Sequence, residues 1–395
     1  MDILIIGNGF DLAHRLPTKY WDFMMFIKNF KSLDTRTKEE IKKVPIFKSL
    51  NDNVKEYLLK DEVFYVKNRS SALNELNELI SNNIWIKYFE DKVGNYKDKK
   101  WIDFESEIAE IIEVIDYLIE YNIHEMKTNG TNFNKNDEMK NILMAKFLEV
   151  YKNCNKSKDM DKVGWLDFHG ERLRKIIDDI NTDLNRLIRC LEIYLGEVVE
   201  KFDIDYRIPE IKDLKIDKLI SFNYTNTYQR LYQSVSANIE LDYLHGNVEI
   251  NRNIMENNMV LGIDEYLEEE ERNKKLYLIA FKKYFQRIYK KTGCKYKEWL
   301  ECVGDFQQKQ GYKFLKKDEA FLNNIYIYGH SLDVTDKDIL KELLEFPYTQ
   351  TIIFYLNKSE YAEKISNVIK IVGQDNLISS VYGKNPKIIF REIQK

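Results

Sequence analysis

Ile3-Leu4-Ile5-Ile6 form an unbroken apolar run that stops at Gly7-Asn8-Gly9. Such a run is too short and too uniform for an amphipathic helix, and it predicts a strand buried on both faces of a parallel sheet. Phe10-Asp11-Leu12-Ala13 then begins a helix, for which Asp11 is a candidate N-cap. Leu16-Pro17-Thr18 leads into the aromatic Tyr20-Trp21-Asp22-Phe23, a second helix with Thr18 as its expected cap. From about Asp34 to Lys201 apolar residues recur three and four positions apart within charged text, as in "EIAEIIEVIDYLIEY" (107–121) and "RLRKIIDDINTDLNRLIRCLEIYL" (172–195), which predicts helices. Polar stretches at 127–137 and 153–162 read as loops. A second helical block runs from about Tyr266 to Gln310. Between and after these blocks, short apolar runs at Lys218–Tyr224, Ile239–His245, Met259–Ile263, Ile325–Ser331 and Thr351–Leu356 predict strands, and a closing "KIIF" adds one more.

Strand, long helical block, strands, shorter helical block, then strand-helix-strand is the order expected of one α/β sheet carrying helical insertions. The expected class is therefore α/β, a Rossmann-like parallel sheet. Its nucleotide-binding core would comprise 1–33, 202–265 and 321–395, with a helical insertion at 34–201 and a second, smaller one at 266–320. Four strands run into small polar residues at their carboxyl ends: Gly7-Asn8-Gly9-Phe10-Asp11, Ser221-Phe222-Asn223-Tyr224-Thr225, His245-Gly246-Asn247 and Gly329-His330-Ser331-Leu332-Asp333. In an open parallel sheet the ligand crevice lies outside those ends, so the four segments are expected to converge on one site.

Composition narrows the partners. With 44% hydrophobic residues in 395, the chain can bury one large core or two ordinary ones. A net charge of −4 advertises no general affinity for nucleic acid, so nucleic acid is not an expected partner. Met1-Asp2 passes directly into the apolar run without a basic leader, and no apolar run approaches the ~20 residues needed to span a bilayer. Cys154, Cys190, Cys294 and Cys302 form no CxxC pair, which disfavours a zinc ribbon or a disulfide framework. Together these predict a cytoplasmic protein with no membrane partner.

The glycine pair after the first strand suits close approach of phosphates to backbone amides at a helix start. The third glycine of the dinucleotide fingerprint is missing, Leu12 and Ala13 standing in its place, and no acidic residue clearly ends a second strand, so an ordinary hydride-transfer enzyme is disfavoured. A tight turn that needs glycine for backbone reasons alone is the competing reading of Gly7 and Gly9. His245, beside Gly246, is the best catalytic candidate, because a neutral imidazole can serve as base or donor; a structural histidine bonded to backbone competes with it. Asn223 can hold a ribose hydroxyl or a water, or merely form an Asx turn. Asp11, Asp264, Asp333 and Asp336 are weighed as metal ligands, though capping and solvated acids fit their spacing better. The acidic run Glu268–Glu271 reads as a solvated helix face, and Tyr20, Trp21, Phe23 and Phe26 as core. His14, His330, His124 and His169 receive no specific chemistry.

The ordered stretches "IIGNGFDLAHRLPTKYWDF", "ISFNYTNTYQRLY", "YLHGNV", "LGIDE" and "IYGHSLDVTDKDIL", with "WIDFESEI" at 101–108, resemble the AbiH family of bacterial proteins associated with abortive infection against phage. The same order of a glycine pair, an Asn after a strand, Leu-His-Gly and Gly-x-Ser-Leu is more distantly similar to the sirtuin-like (SIR2-like) NAD-binding fold. That second resemblance implies phosphate contacts at Gly7 and Gly9, Asn223 beside the nicotinamide ribose, His245 acting at the ribose, and Gly329 with Ser331 bordering the adenosine half. Asn8, Phe10, Tyr224, Thr225, Gly246 and His330 complete the expected nucleotide contacts. The zinc cysteines of sirtuin deacylases are absent, and Tyr224-Thr225 departs from their pattern, so no structural zinc and no protein deacylation are expected.

The reading is an abortive-infection effector that binds NAD or a related nucleotide and cleaves the nicotinamide-ribose bond, with His245, Asn223 and Asp11 catalytic. The alternatives are a nucleotide-sensing interaction module, a metal-dependent nuclease, or a purely structural protein. A phage or host trigger protein and a second copy of the chain stay open as partners.

Overall fold

In the computed structural model, residues 1–95, 100–128, 137–154, 171–232, 239–264, 275–309 and 321–394 are described. Six strands, β1 (Asp2–Ile6), β2 (Lys218–Ser221), β3 (Glu240–Tyr243), β4 (Asn323–Tyr328), β5 (Thr349–Tyr355) and β6 (Ile388–Glu392), pair in the order β3-β2-β1-β4-β5-β6. Every pairing is parallel. This is the doubly wound order, in which the sequence direction of the sheet reverses between β1 and β4. Ile5 lies between Ile220 and Ile327 in register, so the opening run is the middle of the sheet.

The lack of alternation in that run follows from its position. Ile3 and Ile5 face one core with Ile220, Ile325, Ile327 and Ile353, whereas Leu4 and Ile6 face another with Leu219, Ile352 and Phe354. Each fully buried aliphatic side chain contributes roughly 1.5–3 kcal/mol relative to exposure, so both faces of β1 favour burial. The first core is covered by helix α4 (Lys337–Glu345), through Ile339, Leu340, Leu343 and Leu344, and by α5 (Lys358–Val372), through Val368, Ile371 and Val372. Tyr296, Trp299 and Leu300 of α3 (Lys295–Lys309) and Leu377 of α6 (Gln374–Val381) join it. The second core takes Phe10 of α1 (Asn8–Ala13) and Tyr228, Leu231 and Tyr232 of α2 (Thr227–Tyr232). α5 starts where the Asn357 side chain accepts the Glu360 amide at 3.0 Å and ends before Gly373, whose φ of +88° suits a helix stop.

Two compact units result. The first comprises 1–18, 200–248 and 291–395 and contains the whole sheet; the second comprises 19–199 and 249–290. Helix Tyr20–Leu33 thus falls in the second unit and α3 in the first.

The second unit is helical and packs its aromatic residues inside. Phe23 and Phe26 are fully buried against Tyr194, and Tyr20 stacks on Phe104 at 4.3 Å between ring centroids. Helix Phe104–Thr128 begins where Asp103 Oδ1 accepts the Glu105 amide at 3.0 Å. Helix Glu171–Ile193 passes into a wider turn over Tyr194–Val198.

Two local expectations are corrected. Thr18 does not cap helix Tyr20–Leu33, whose N-cap is Lys19; the Thr18 hydroxyl donates instead to Asn8 Oδ1 at 2.5 Å. Met259–Ile263 is not a strand. It makes one isolated bridge, from Ile263 to Lys282, and Gln286 pairs with it as a neighbouring strand would, accepting from the Leu261 amide and donating to the Leu261 carbonyl, both at 3.0 Å. The loop cores at 129–136 and 155–162, the acidic run Glu268–Glu271 and His169 lie outside the described residues.

Candidate functional site at the carboxyl edge of the sheet

The segments after β1, β2, β3 and β4 meet within the first unit. The glycines are required by the way β1 and β4 end. Gly9 donates its amide to the Gly329 carbonyl at 2.7 Å, and the two chains cross so closely that a Cβ on Gly329 would lie 2.2 Å from the Phe10 nitrogen. Gly329 also holds a φ of +67°, which side-chain-bearing residues rarely adopt. The Gly7 amide donates to the Tyr328 carbonyl at 3.2 Å and the Phe10 amide to the Gly7 carbonyl at 2.8 Å. Three amides that the glycine pattern offers to phosphates are therefore engaged within the chain.

Asn223 is buried, and its Nδ2 donates to the Gly7 carbonyl at 3.0 Å, tying the end of β2 to the end of β1. Its own amide donates to Ser221 Oγ at 3.1 Å, and that hydroxyl donates to the Asn223 carbonyl at 3.0 Å. One Nδ2 hydrogen is thus engaged, and Oδ1 is the acceptor the side chain offers.

Asp11 is only 1% exposed. It is not a cap; Gly7 occupies the N-cap position of α1. Thr225 Oγ1 donates to Asp11 Oδ2 at 2.6 Å, and Thr227 Oγ1 donates to Thr225 Oγ1 at 3.1 Å. Asp11 Oδ1 is buried with no hydrogen-bond partner among the described residues. Burial pushes the carboxyl up to about 6, with Glu200 adding to it and the two threonine hydroxyls and Arg230 opposing. An acid in that range can hold or release a proton near neutrality.

His245, 6% exposed, follows β3, and its Nε2 lies 3.1 Å from Asp336 Oδ1. Phe222 stands edge-on to its ring, and Tyr224 lies tilted to it at 6.4 Å between centroids. Asp336 closes a short turn, Val334–Asp336, which Asp333 starts by accepting the Thr335 amide at 3.0 Å. Of the acids weighed as metal ligands, Asp333 is thus a cap and Asp336 a hydrogen-bond partner of His245. Among the described residues no three His, Cys, Asp or Glu side chains are gathered as a metal site would gather them.

His330 shares the same carboxylate, its Nε2 standing 3.6 Å from Asp336 Oδ2. Its Nδ1 accepts the Leu332 amide at 2.9 Å, which requires the neutral ring with its proton on Nε2. Burial holds its pKa below the ordinary histidine value, with Lys364 and His245 adding to that and Asp336 opposing. α5 clamps the loop from behind: Lys364 Nζ donates to the His330 carbonyl at 2.6 Å, and Asn367 Nδ2 to the Ser331 carbonyl at 3.1 Å.

The remaining residues expected at the site are spread around this cluster. Asn8 holds Thr18, the Phe10 ring is in the core, and the Tyr224 carbonyl accepts the Val248 amide at 2.8 Å. Gly246 has a φ of +77°, and the exposed Ser331 accepts the Asp333 amide at 3.3 Å. His14 is structural: Nδ1 donates to the Phe10 carbonyl at 2.7 Å and Nε2 accepts from Tyr232, whose oxygen accepts the Ile208 amide at 2.8 Å. Asp336 is the residue whose part in the cluster sequence reasoning missed. The sequence weighs it only as a metal ligand, within the stretch that follows the Gly-His-Ser segment.

Fold and site together define a doubly wound α/β protein with a buried acid and a histidine-carboxylate pair where the sheet reverses. The chain belongs to the AbiH family, described as bacteriophage abortive infection AbiH, which it matches over residues 3–357. Neither the curated proteins nor the solved structures contain a match. Membership implies a role in bacteriophage abortive infection. Among the described residues no helix is long and apolar enough to cross a membrane.

Proposed function

We propose that this abortive-infection protein binds NAD at the carboxyl edge of its sheet and hydrolyses the bond between nicotinamide and ribose. The observation that carries the reading is the His245–Asp336 pair at 3.1 Å, placed with Asn223 and Asp11 beside the β1–β4 reversal, where doubly wound sheets take their ligands. In the reaction water adds to the anomeric carbon, the carbon–nitrogen bond breaks, and the pyridinium leaves as neutral nicotinamide. Positive charge grows on the ribose, so the site has to position the sugar and place negative charge nearby more than it has to protonate a leaving group. His245 takes the proton of the attacking water. Asn223 Oδ1 accepts from a ribose hydroxyl, and ionised Asp11 stabilises the cationic sugar. With the amides of Gly7, Gly9 and Phe10 engaged, the glycines serve by letting β1 and β4 bring these groups together, and the phosphates draw on other donors.

His245 and Asn223 are both nearly covered, at 6% and 5% exposure. A covered site suits an enzyme whose unrestrained activity would exhaust the NAD of its own host, and it fits control by a trigger protein or by assembly with a second copy. The test is nicotinamide release from NAD by the purified chain, with and without divalent cation, beside His245→Ala. Metal-independent release that is lost in the variant is expected. Undiminished release by His245→Ala would refute the role of this histidine, and absence of both NAD binding and release in phage-exposed lysate would refute the reading as a whole.

A further inference from the structure

We propose that Asp336 is the positioning residue for His245: it holds the imidazole as the Nε2–H tautomer and leaves Nδ1 as the nitrogen that works on the substrate. This rests on His245 being the base of the proposed hydrolysis, but the arrangement is also measurable without turnover. Asp336 Oδ1 lies 3.1 Å from His245 Nε2, both side chains are buried, and an ionised carboxylate only accepts, so the shared proton sits on Nε2. The other ring nitrogen then carries the lone pair. In a histidine held by a carboxylate, the carboxylate fixes ring and tautomer and steadies the imidazolium formed when the base takes its proton.

The surroundings aim Asp336 at His245. His330 is kept neutral because its Nδ1 accepts the Leu332 amide at 2.9 Å, and it presents its Nε2–H edge to Asp336 Oδ2 at 3.6 Å, a polar contact without a full charge. Lys364, the cation facing this loop from α5, is drawn to the His330 carbonyl at 2.6 Å and to Glu360 at 3.1 Å. His330 thus orients the second oxygen of the carboxylate while the first faces His245. The ring of Phe222 stands 4.1 Å from that of His330 and 5.5 Å from that of His245 between centroids, filling the space between strand end and turn.

The test is long-range proton–nitrogen NMR of the full chain labelled at its five histidines with nitrogen-15, at pH 8.5, with the His245 signals assigned through His245→Gln. Wild type is expected to show His245 protonated on Nε2 and bare on Nδ1. Asp336→Asn turns an amide N–H toward Nε2, so the tautomer should invert or mix, and nicotinamide release should fall about 10²–10⁴-fold with little change in KM. Asp336→Glu should restore the tautomer and part of the rate. A wild-type His245 protonated on Nδ1 overturns the proposal, as does a tautomer that stays unchanged in Asp336→Asn. Should Asp336→Asn not fold, the wild-type spectrum and Asp336→Glu decide alone. The expected tautomer in a chain that never releases nicotinamide would leave the positioning intact and remove the proposed reaction.

Discussion

Replacing Asp11 by Asn should change stability in a way that depends on pH with a definite sign. The Asp11 carboxyl is raised from 3.8 to about 6 in the folded chain, mainly by burial. Its stabilising contribution is complete below the unfolded value and is lost as pH rises through the folded one, because only the folded state then pays to ionise it. At about 1.4 kcal/mol per pH unit of difference, the full penalty at pH 8 is about 3 kcal/mol. Asn removes that penalty and still accepts the Thr225 hydroxyl, but its amide replaces the unpartnered Oδ1, and an unpaired buried donor costs roughly 1–3 kcal/mol. That cost does not vary with pH. The stability of Asp11→Asn relative to wild type should therefore grow by about 1.4 kcal/mol between pH 5 and pH 8, whatever its absolute value. Urea unfolding of both chains at several pH values, with equal m-values, measures the difference. A constant difference, or one that shrinks as pH rises, would refute the account of Asp11 as a carboxyl held up by burial.

Gly329→Ala should destabilise by more than about 4 kcal/mol, since the new Cβ meets the Phe10 nitrogen at 2.2 Å in a left-handed conformation; soluble yield and thermal midpoint report it. His14 titrates with the sign opposite to Asp11. Burial lowers its folded pKa, so the unfolded chain takes up protons first and stability should fall as pH drops below about 6.5. In His14→Gln that slope should be shallower, by at most about 1.4 kcal/mol per pH unit, in the same urea experiment.

The central strand was legible because β1 is buried on both faces, and only a short unbroken apolar run satisfies that position. The polar strand ends were legible for a related reason: the carboxyl edge is where small and hydrogen-bonding residues replace apolar ones. Met259–Ile263 misled because an apolar extended segment looks the same whether it pairs with a strand or with the Gln286 side chain, 25 residues away from Leu261. Thr18 misled because its hydroxyl donates to Asn8, ten residues back, a partner that local capping rules do not consider. The pairing of His245 with Asp336, 91 residues apart, is a product of topology, and nothing in the text marks Asp336 above Asp333 before both are folded.

The register of β1 has a consequence for how a cell makes this chain. β1 is synthesised long before its two neighbours, β2, from Lys218, and β4, from Asn323. At synthesis rates of about 5–20 residues per second, Ile3–Ile6 must wait roughly 15–60 s for its second neighbour, as an apolar strand with one edge still unpaired. Until β4 arrives, Gly9 has no Gly329 to cross and His245 has no Asp336. A nascent or truncated chain that ends before β4 cannot assemble the cluster, so synthesis itself withholds the site until β4 and the turn after it have been made.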